Sequence, residues 1–330
     1  MKLCARVPKN SGETVRRYLL SLNALDSGFS IGRDEQYLYI PIIRQLTDEE
    51  LAIGGAKLTE CETEPVQKKA SLEDILGFQP SYETIGSIAI IDALDMNAKQ
   101  IAEALLTLKH VKTVLGAATP VTGEYRTREL VVLAGELNTE TIYIENGCRY
   151  KLDLSQVYFS PRLSTERMRV AAQVKDREKV FDMFAGVGPF SILIAKRSPD
   201  SHVIASDKNP VAIKYLKENA RLNRLSNVEV LEGDAHEVAK TVENADRILM
   251  NLPHSAHEFL GSALRSLRDR GTIHFYAIAP DDDPFSATIG MLRAAALENG
   301  FDIQVANTHI VRSYSPHRYN TCIDFSAWRL

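Results

Sequence analysis

Between residues 180 and 251 four short apolar runs each close on an acidic or amide residue: Val180-Phe-Asp182, Val203-Ile-Ala-Ser-Asp207, Val228-Glu-Val-Leu-Glu-Gly-Asp234 and Ile248-Leu-Met-Asn251. A fifth run, Thr272 to Ile278, follows. Stretches of helical spacing separate them. Strands alternating with helices predict a parallel, doubly wound sheet with helices on both faces. In such a sheet ligands bind outside the carboxyl ends of the strands, where these four polar residues fall. The α/β class of residues 156–330 follows from this rhythm alone.

The rest of the chain has a different rhythm. Residues 1–64 read as a small α+β module. Leu3–Val7 and Tyr37-Leu-Tyr-Ile-Pro-Ile are strand patterns, and Asn10-x-x-Glu13 and Thr47-x-x-Glu50 are capping signals for two helices. Residues 60–70 are polar with one proline and read as a linker. Residues 70–155 form a second α+β block. Ile85–Ile91 is a strand candidate there, Ala98–Leu108 an amphipathic helix, and Asn146-Gly147 the turn of a hairpin spanning Ile142–Leu152. At 330 residues two or three domains are expected.

No apolar run approaches the ~20 residues of a membrane helix, and the N-terminus lacks an apolar signal core. Cys4, Cys61, Cys148 and Cys322 are far apart, with no Cys-x-x-Cys. Neither a disulfide framework nor a structural zinc site is indicated, and a cytoplasmic protein with reduced thiols is expected. A net charge of −4 excludes a globally basic nucleic-acid binder. A local basic stretch remains at 156–180, with six cations against three anions. A solvated helix face is its plainer reading.

Asp182-Met-Phe-Ala-Gly186-Val-Gly188-Pro-Phe190 follows a strand and opens a helix. Glycines there let the backbone approach a ligand, although close helix–strand packing explains them nearly as well. Asp207 is placed to accept from the two hydroxyls of a ribose, and Asp234 from an adenine amino group. Phe184 stands where the first glycine of a dinucleotide fingerprint would be, and Ser191 where the last would fall. With no phosphate cradle, adenosylmethionine fits better than a dinucleotide. Asn251-Leu-Pro253-His254 offers a carboxamide that both donates to and accepts from a planar base. A helix N-cap is the structural alternative for Asn251. His254-x-x-His257 lacks a third ligand, and no metal is expected.

These motifs, together with Gly123-Glu-Tyr-Arg126-Thr-Arg128-Glu129-Leu and Val157-Tyr158-Phe-Ser-Pro-Arg162 upstream, resemble one family. It is the archaeal and eukaryotic type of tRNA (guanine-37, N(1))-methyltransferase, and the likeness covers nearly the whole chain. The resemblance implies a class I methyltransferase, Rossmann-like catalytic domain preceded by two smaller α+β domains. It implies S-adenosyl-L-methionine as cofactor and tRNA as partner, held at its anticodon loop and outer corner. It further implies a monomer with no membrane association and no obligate protein partner.

The resemblance also places roles. Arg126 matches the donor to guanine O6, Glu166 the general base, and Asn251 the group that positions the base. Tyr158, Asp182, Phe184, Gly186, Gly188, Asp207, Asp234, Asn251 and Pro253 match the cofactor pocket. The chemistry agrees: methylating N1 of guanine requires removal of its proton, and charge then develops toward O6, so a carboxylate and a guanidinium are the pair needed. From the residues alone, Glu166 could instead pair with Arg162 or Arg169 along its helix, and Arg126 with Glu129. In this light the basic stretch 162–179 is expected to meet anticodon-loop phosphates. His309, Arg312, Tyr314, His317 and Arg318 form a second cationic-aromatic group suited to loop bases. Leu252 and His254 depart from the Asn-Pro-Pro-aromatic pattern of exocyclic-amine methyltransferases. Three alternatives stay open: a wyosine-pathway relative that transfers an aminocarboxypropyl or methyl group, a non-catalytic RNA-binding module, and a small-molecule or protein methyltransferase.

Overall fold

The computed structural model describes residues 1–66 and 70–330. It comprises two compact units, Met1–Asp74 and Ile75–Leu330. In the first, strands β1 (Lys2–Pro8), β2 (Gly32–Arg33), β3 (Tyr37–Pro41) and β4 (Lys57–Cys61) form an antiparallel sheet ordered β2-β3-β1-β4. Helix Gly12–Ser21 buries Val15 and Leu19 in one cluster with Ala5, Val7, Ile40 and Ile42. Thr47 and Glu50 make the expected reciprocal capping box. Asn10 does not cap. A single 3₁₀ turn, Lys9–Ser11, displaces it from the helix start, and Glu13 pairs with Arg16 and Arg17 instead.

The thiols of this unit overturn an expectation. Cys4 and Cys61 are joined in a disulfide across β1 and β4, with Cα atoms 6.2 Å apart. Cys4 stands opposite Thr59 and Lys2 opposite Cys61, so the cysteines are diagonal neighbours. Their separation of 57 residues in sequence hid that proximity. The expected linker at 60–70 is also shorter than read. Glu60 and Cys61 belong to β4, Pro65 bridges to Phe29, and residues 67–69 lie outside the described residues.

In the second unit β5 (Glu83–Ile85), β6 (Ile88–Asp92), β7 (Thr113–Ala117) and β8 (Leu130–Gly135) form a sheet in that order, with β6 and β7 parallel. The single strand expected over Ile85–Ile91 is two, because Gly86 takes φ +59° and turns Ile85 back onto Ile88. Strands β9 (Glu140–Glu145) and β10 (Cys148–Asp153) make the expected hairpin, with Asn146 and Gly147 both at positive φ.

The main sheet contains β11 (Lys179–Asp182), β12 (His202–Asp207), β13 (Val228–Glu232), β14 (Ala245–Met250), β15 (Leu267–Pro280), β16 (Phe301–Ser315) and β17 (Arg318–Arg329). Their order is β13-β12-β11-β14-β15-β17-β16. The first five are parallel, as the sequence predicts. The last two are a long antiparallel hairpin, β17 pairing with both β15 and β16. Side chains alternate between two cores. Val180, Ala205, Leu249, Tyr276 and Cys322 pack on one face, and Phe181, Ile204, Ile248, Phe275 and Ile323 on the other. Among the described residues, no helix is long and apolar enough to cross a membrane.

Candidate active site

The strand order brings Asp182, Asp207, Asp234 and Asn251 to the carboxyl ends of adjacent strands. The chain runs outward from β11 through β12 to β13, then returns to lay β14 on β11's other side. That reversal is the crevice-forming switch of open α/β sheets.

Each residue has its own setting. Asp182 is buried; its Oδ2 accepts from Ser191 Oγ at 2.6 Å, while Oδ1 has no partner among the described residues. Burial raises its carboxyl to about 7, partly offset by hydrogen bonds from Ser191 and the Phe184 backbone. Asp207 accepts from the backbone N–H of Gly186 at 2.7 Å and of Asn209 at 2.8 Å. Burial raises its carboxyl as well, against those backbone donors. Asp234 caps helix Ala235–Ala239 through the His236 N–H, so it carries a structural duty besides any ligand role. Asn251 is half-buried, and no described residue hydrogen-bonds its carboxamide, so it is not spent as a cap. Pro253 accepts from Ile278 N–H at 3.2 Å, which fixes the turn after Asn251.

The glycine turn is open on one side and closed on the other. A Cβ on Gly186 (φ +56°) would meet nothing within 4 Å, whereas one on Gly188 (φ +90°) would stand 2.1 Å from Leu216 Cδ1. Gly188 therefore serves helix–helix packing, and Gly186 fronts free space beside Asp207. Phe184 packs edge-on against Phe259 at 5.1 Å. An unpartnered buried carboxylate oxygen, an open glycine and a backbone-anchored second carboxylate suit an amine- and ribose-bearing nucleoside. The residues present fit adenosylmethionine.

Arg126 lies in a tight turn closed by its own N–H on Gly123 O, at φ +54°. Its guanidinium sits over the Tyr158 ring, 4.8 Å from the centroid. No ion pair to Glu129 forms among the described residues, so that alternative fails.

Glu166, on helix Ser164–Ala171, is almost wholly buried. The pairing with Arg169 anticipated on its helix is present: Arg169 donates Nε to Oε2 at 2.8 Å and Nη2 to Oε1 at 2.9 Å. Tyr276 Oη adds a bond to Oε1 at 2.6 Å, and His309 Nε2 one to Oε2 at 2.8 Å. Burial alone would raise this carboxyl, but the donors from Arg169, His309 and Tyr276 outweigh it and hold it at about 2. The group is ionised at any working pH.

The support beneath Glu166 escaped sequence reasoning. Tyr276, Cys322 and His309 are in register across β15, β17 and β16, and so are His274, Asp324 and Asn307 two rungs away. Asp324 grips Arg169 through both carboxylate oxygens, at 2.5 and 3.1 Å. Arg247 donates to His274 Nε2 at 2.8 Å. An arginine can only donate, so His274 bears its proton on Nδ1 and gives it to Asp324 at 2.6 Å. Arg247 is itself paired with Glu178 at 2.7 Å. The alternation His274-x-Tyr276 and Cys322-x-Asp324 was the available signal, but pairing β15 with β17 required the fold. His274, Cys322 and Asp324 lie close enough to hold a metal. The guanidinium groups of Arg169 and Arg247 already fill that space with positive charge.

The basic stretch is partly spent inside the unit. Arg167 is buried against Glu145, Arg169 is held as above, and Arg162 lies 3.4 Å from Glu83. Arg162, Lys175 and Arg177 stay exposed, so these three are the cations of 162–179 open to phosphates.

Residues 141–304 match the TRM5/TYW2 methyltransferase domain, 4–50 the tRNA methyltransferase 5 N-terminal domain, and 64–139 the TYW2 N-terminal domain. A curated relative, the tRNA (guanine(37)-N(1))-methyltransferase Trm5b of Pyrococcus abyssi, is 44% identical over 98% of this chain and 99% of its own. The chain belongs to the TRM5/TYW2 methyltransferase family. Among solved members, wild-type Trm5b from Pyrococcus abyssi superposes with a TM-score of 0.72 at 43% identity, covering 99% of this chain and 100% of that one. A complex of aTrm5 with tRNALeu gives 0.69 at 35% identity, covering 98% and 99%. The Methanocaldococcus jannaschii TYW2 complex with AdoMet gives 0.61 at 30%, covering 76% and 100%. Membership agrees with the Rossmann-like, class I architecture expected from the motifs.

Proposed function

We propose that this chain methylates N(1) of guanosine 37 in tRNA, using S-adenosylmethionine, with Glu166 as the general base. The observation that carries the mechanism is the ionised Glu166 carboxylate anchored to Tyr276, one residue beyond the Met250–Phe275 rung and hence beside the Asn251 strand end. Near full-length similarity to Trm5b supports the reaction. The match of residues 4–50 to a Trm5 N-terminal domain favours it over wyosine-type transfer, because the TYW2 relative aligns with only 76% of this chain.

Asp207 would hold the ribose, Asp182 the amino end of the cofactor, and Asp234 the adenine, with Phe184, Gly186, Gly188, Tyr158 and Pro253 shaping the pocket. When bound, adenosylmethionine supplies an electrophilic methyl group on a sulfonium. Asn251, its carboxamide free, orients the guanine. Glu166 takes the N1 proton as the methyl arrives, and Arg126, levelled on Tyr158, donates to O6 where charge accumulates. Residues 1–64 would meet the outer corner of the tRNA, 70–155 would support the anticodon loop, and 156–330 would carry the reaction. The protein would act in the cytoplasm as a monomer.

Glu166→Gln tests this reading. With tRNA bearing guanosine or adenosine at position 37 and labelled cofactor, 1-methylguanosine should form only on the guanosine substrate. The substitution should lower its rate by ~10²–10⁴-fold, the usual scale of general-base assistance. An aminocarboxypropyl product would overturn the reaction assignment, and a loss below tenfold the role of Glu166.

A further inference from the structure

All four acceptor positions of the Glu166 carboxylate are occupied. Oε1 takes Tyr276 Oη and Arg169 Nη2; Oε2 takes Arg169 Nε and His309 Nε2. A carboxylate offers about four lone-pair directions, so none is left for a substrate N–H. If Glu166 is the base, as argued above, one of these donors must leave before it can act.

The three donors are not equally free to go. Tyr276 is completely buried on β15, between β14 and β17. Arg169 is fastened a second time by Asp324, so releasing it would take a charged donor from two carboxylates at once. His309 is different: its side chain is as exposed as that of Arg169, at 25%, but its other ring nitrogen, Nδ1, is buried without a partner among the described residues. It lies on β16, the edge strand of the sheet, between register breaks at Val305/Asn307 and Ile310/Arg312. Among the described residues only the bond to Glu166 fixes the polar end of the ring, and an interrupted edge strand yields more readily than a central one.

We propose that His309 is a placeholder: its Nε2–H occupies the acceptor position on Glu166 Oε2 that the guanine N1–H takes in the reacting complex, and substrate entry displaces it. His309 is thus a positioning residue that keeps the buried carboxylate satisfied between turnovers. Its departure removes one of the donors that weaken Glu166 as a base, so proton affinity rises when the substrate is in place. The displacement is a conformational tax on productive tRNA binding, and removing the placeholder lifts that tax.

The test is steady-state kinetics on the full chain with tRNA bearing guanosine 37, comparing wild type, His309→Ala, His309→Gln and Glu166→Gln. A hydrogen bond to a charged group corresponds to about tenfold or more in an equilibrium, and water recovers part of it. His309→Ala should therefore lower KM for tRNA by roughly three- to tenfold with kcat within about twofold of wild type. His309→Gln, which keeps an N–H donor, should restore KM toward wild type. If His309→Ala melts at much lower temperature, His309→Leu is read in its place. A tenfold or greater fall in kcat, or an unchanged KM, overturns the placeholder while leaving Glu166 as base if Glu166→Gln is inactive. Full activity in Glu166→Gln removes the base and this inference together.

Discussion

The helix that carries Glu166 is locked to the β9–β10 hairpin by a buried ion pair whose worth can be worked from its geometry. Arg167 donates Nε and Nη2 to the two oxygens of Glu145 at 2.5 and 2.7 Å, with the side chains 1% and 4% exposed. The same Nη2 reaches Ser160 O at 3.1 Å, and the guanidinium lies over Phe159 at 5.3 Å. Glu145→Ala would leave a buried guanidinium, which cannot deprotonate, without its charge partner, a cost of about 3–5 kcal/mol. Arg167→Met should cost less, because a stranded carboxyl can take up a proton. Glu145→Leu with Arg167→Met should lie within about 1–2 kcal/mol of wild type, since replacing a whole buried pair by apolar groups of similar volume is often neutral. Urea unfolding followed by the fluorescence of Trp328, the only tryptophan in the chain, reports on the second unit. Single-variant losses that sum in the double variant, or a loss below 1 kcal/mol in Glu145→Ala, would refute the reasoning.

Other outcomes follow from the same geometry. Gly186→Ala should fold with a penalty of about 1–2 kcal/mol for its left-handed backbone, yet weaken cofactor binding measured by calorimetry; Gly188→Ala should destabilise more, because its methyl group collides with Leu216. The Asp182 carboxyl is raised to about 7 by burial, so its contribution to stability is present below its unfolded value near 3.8 and is lost as pH rises through about 7. The melting temperature of Asp182→Asn relative to wild type should therefore climb between pH 4 and 7 and level off above; a pH-independent difference would contradict a buried, raised carboxyl. Reducing Cys4–Cys61 should destabilise the first unit by about 4 kcal/mol, from the chain entropy of a loop closed over 57 residues. Calorimetry of the oxidised and reduced protein checks this, and identical melting curves would exclude the disulfide in solution.

Much of the architecture is written locally. The period and polar endings of the runs from Val180 to Asn251 specify a parallel sheet and the edge on which its ligand sits, because strand, crossover helix and strand can close in very few ways. Asn146-Gly147 and Thr47-x-x-Glu50 likewise act within a few residues, and both formed where expected. What failed depended on neighbours distant in sequence. Cys4 and Cys61 meet only because β1 and β4 pair; Arg167 and Arg169 look like surface cations until Glu145 and Asp324 arrive from elsewhere.

Glu166 shows the division most clearly. Its helix and its Arg169 partner at i+3 are properties of the local sequence. Its proton affinity is only partly so: burial and the further donors His309 on β16 and Tyr276 on β15, brought together by the pairing of β17 with both strands, complete what Arg169 begins. Sequence settles which chemical groups are available and where a ligand must lie along the strand ends. Only the tertiary structure decides which charges are desolvated and which lone pairs are taken, because both depend on atoms contributed from more than a hundred residues away.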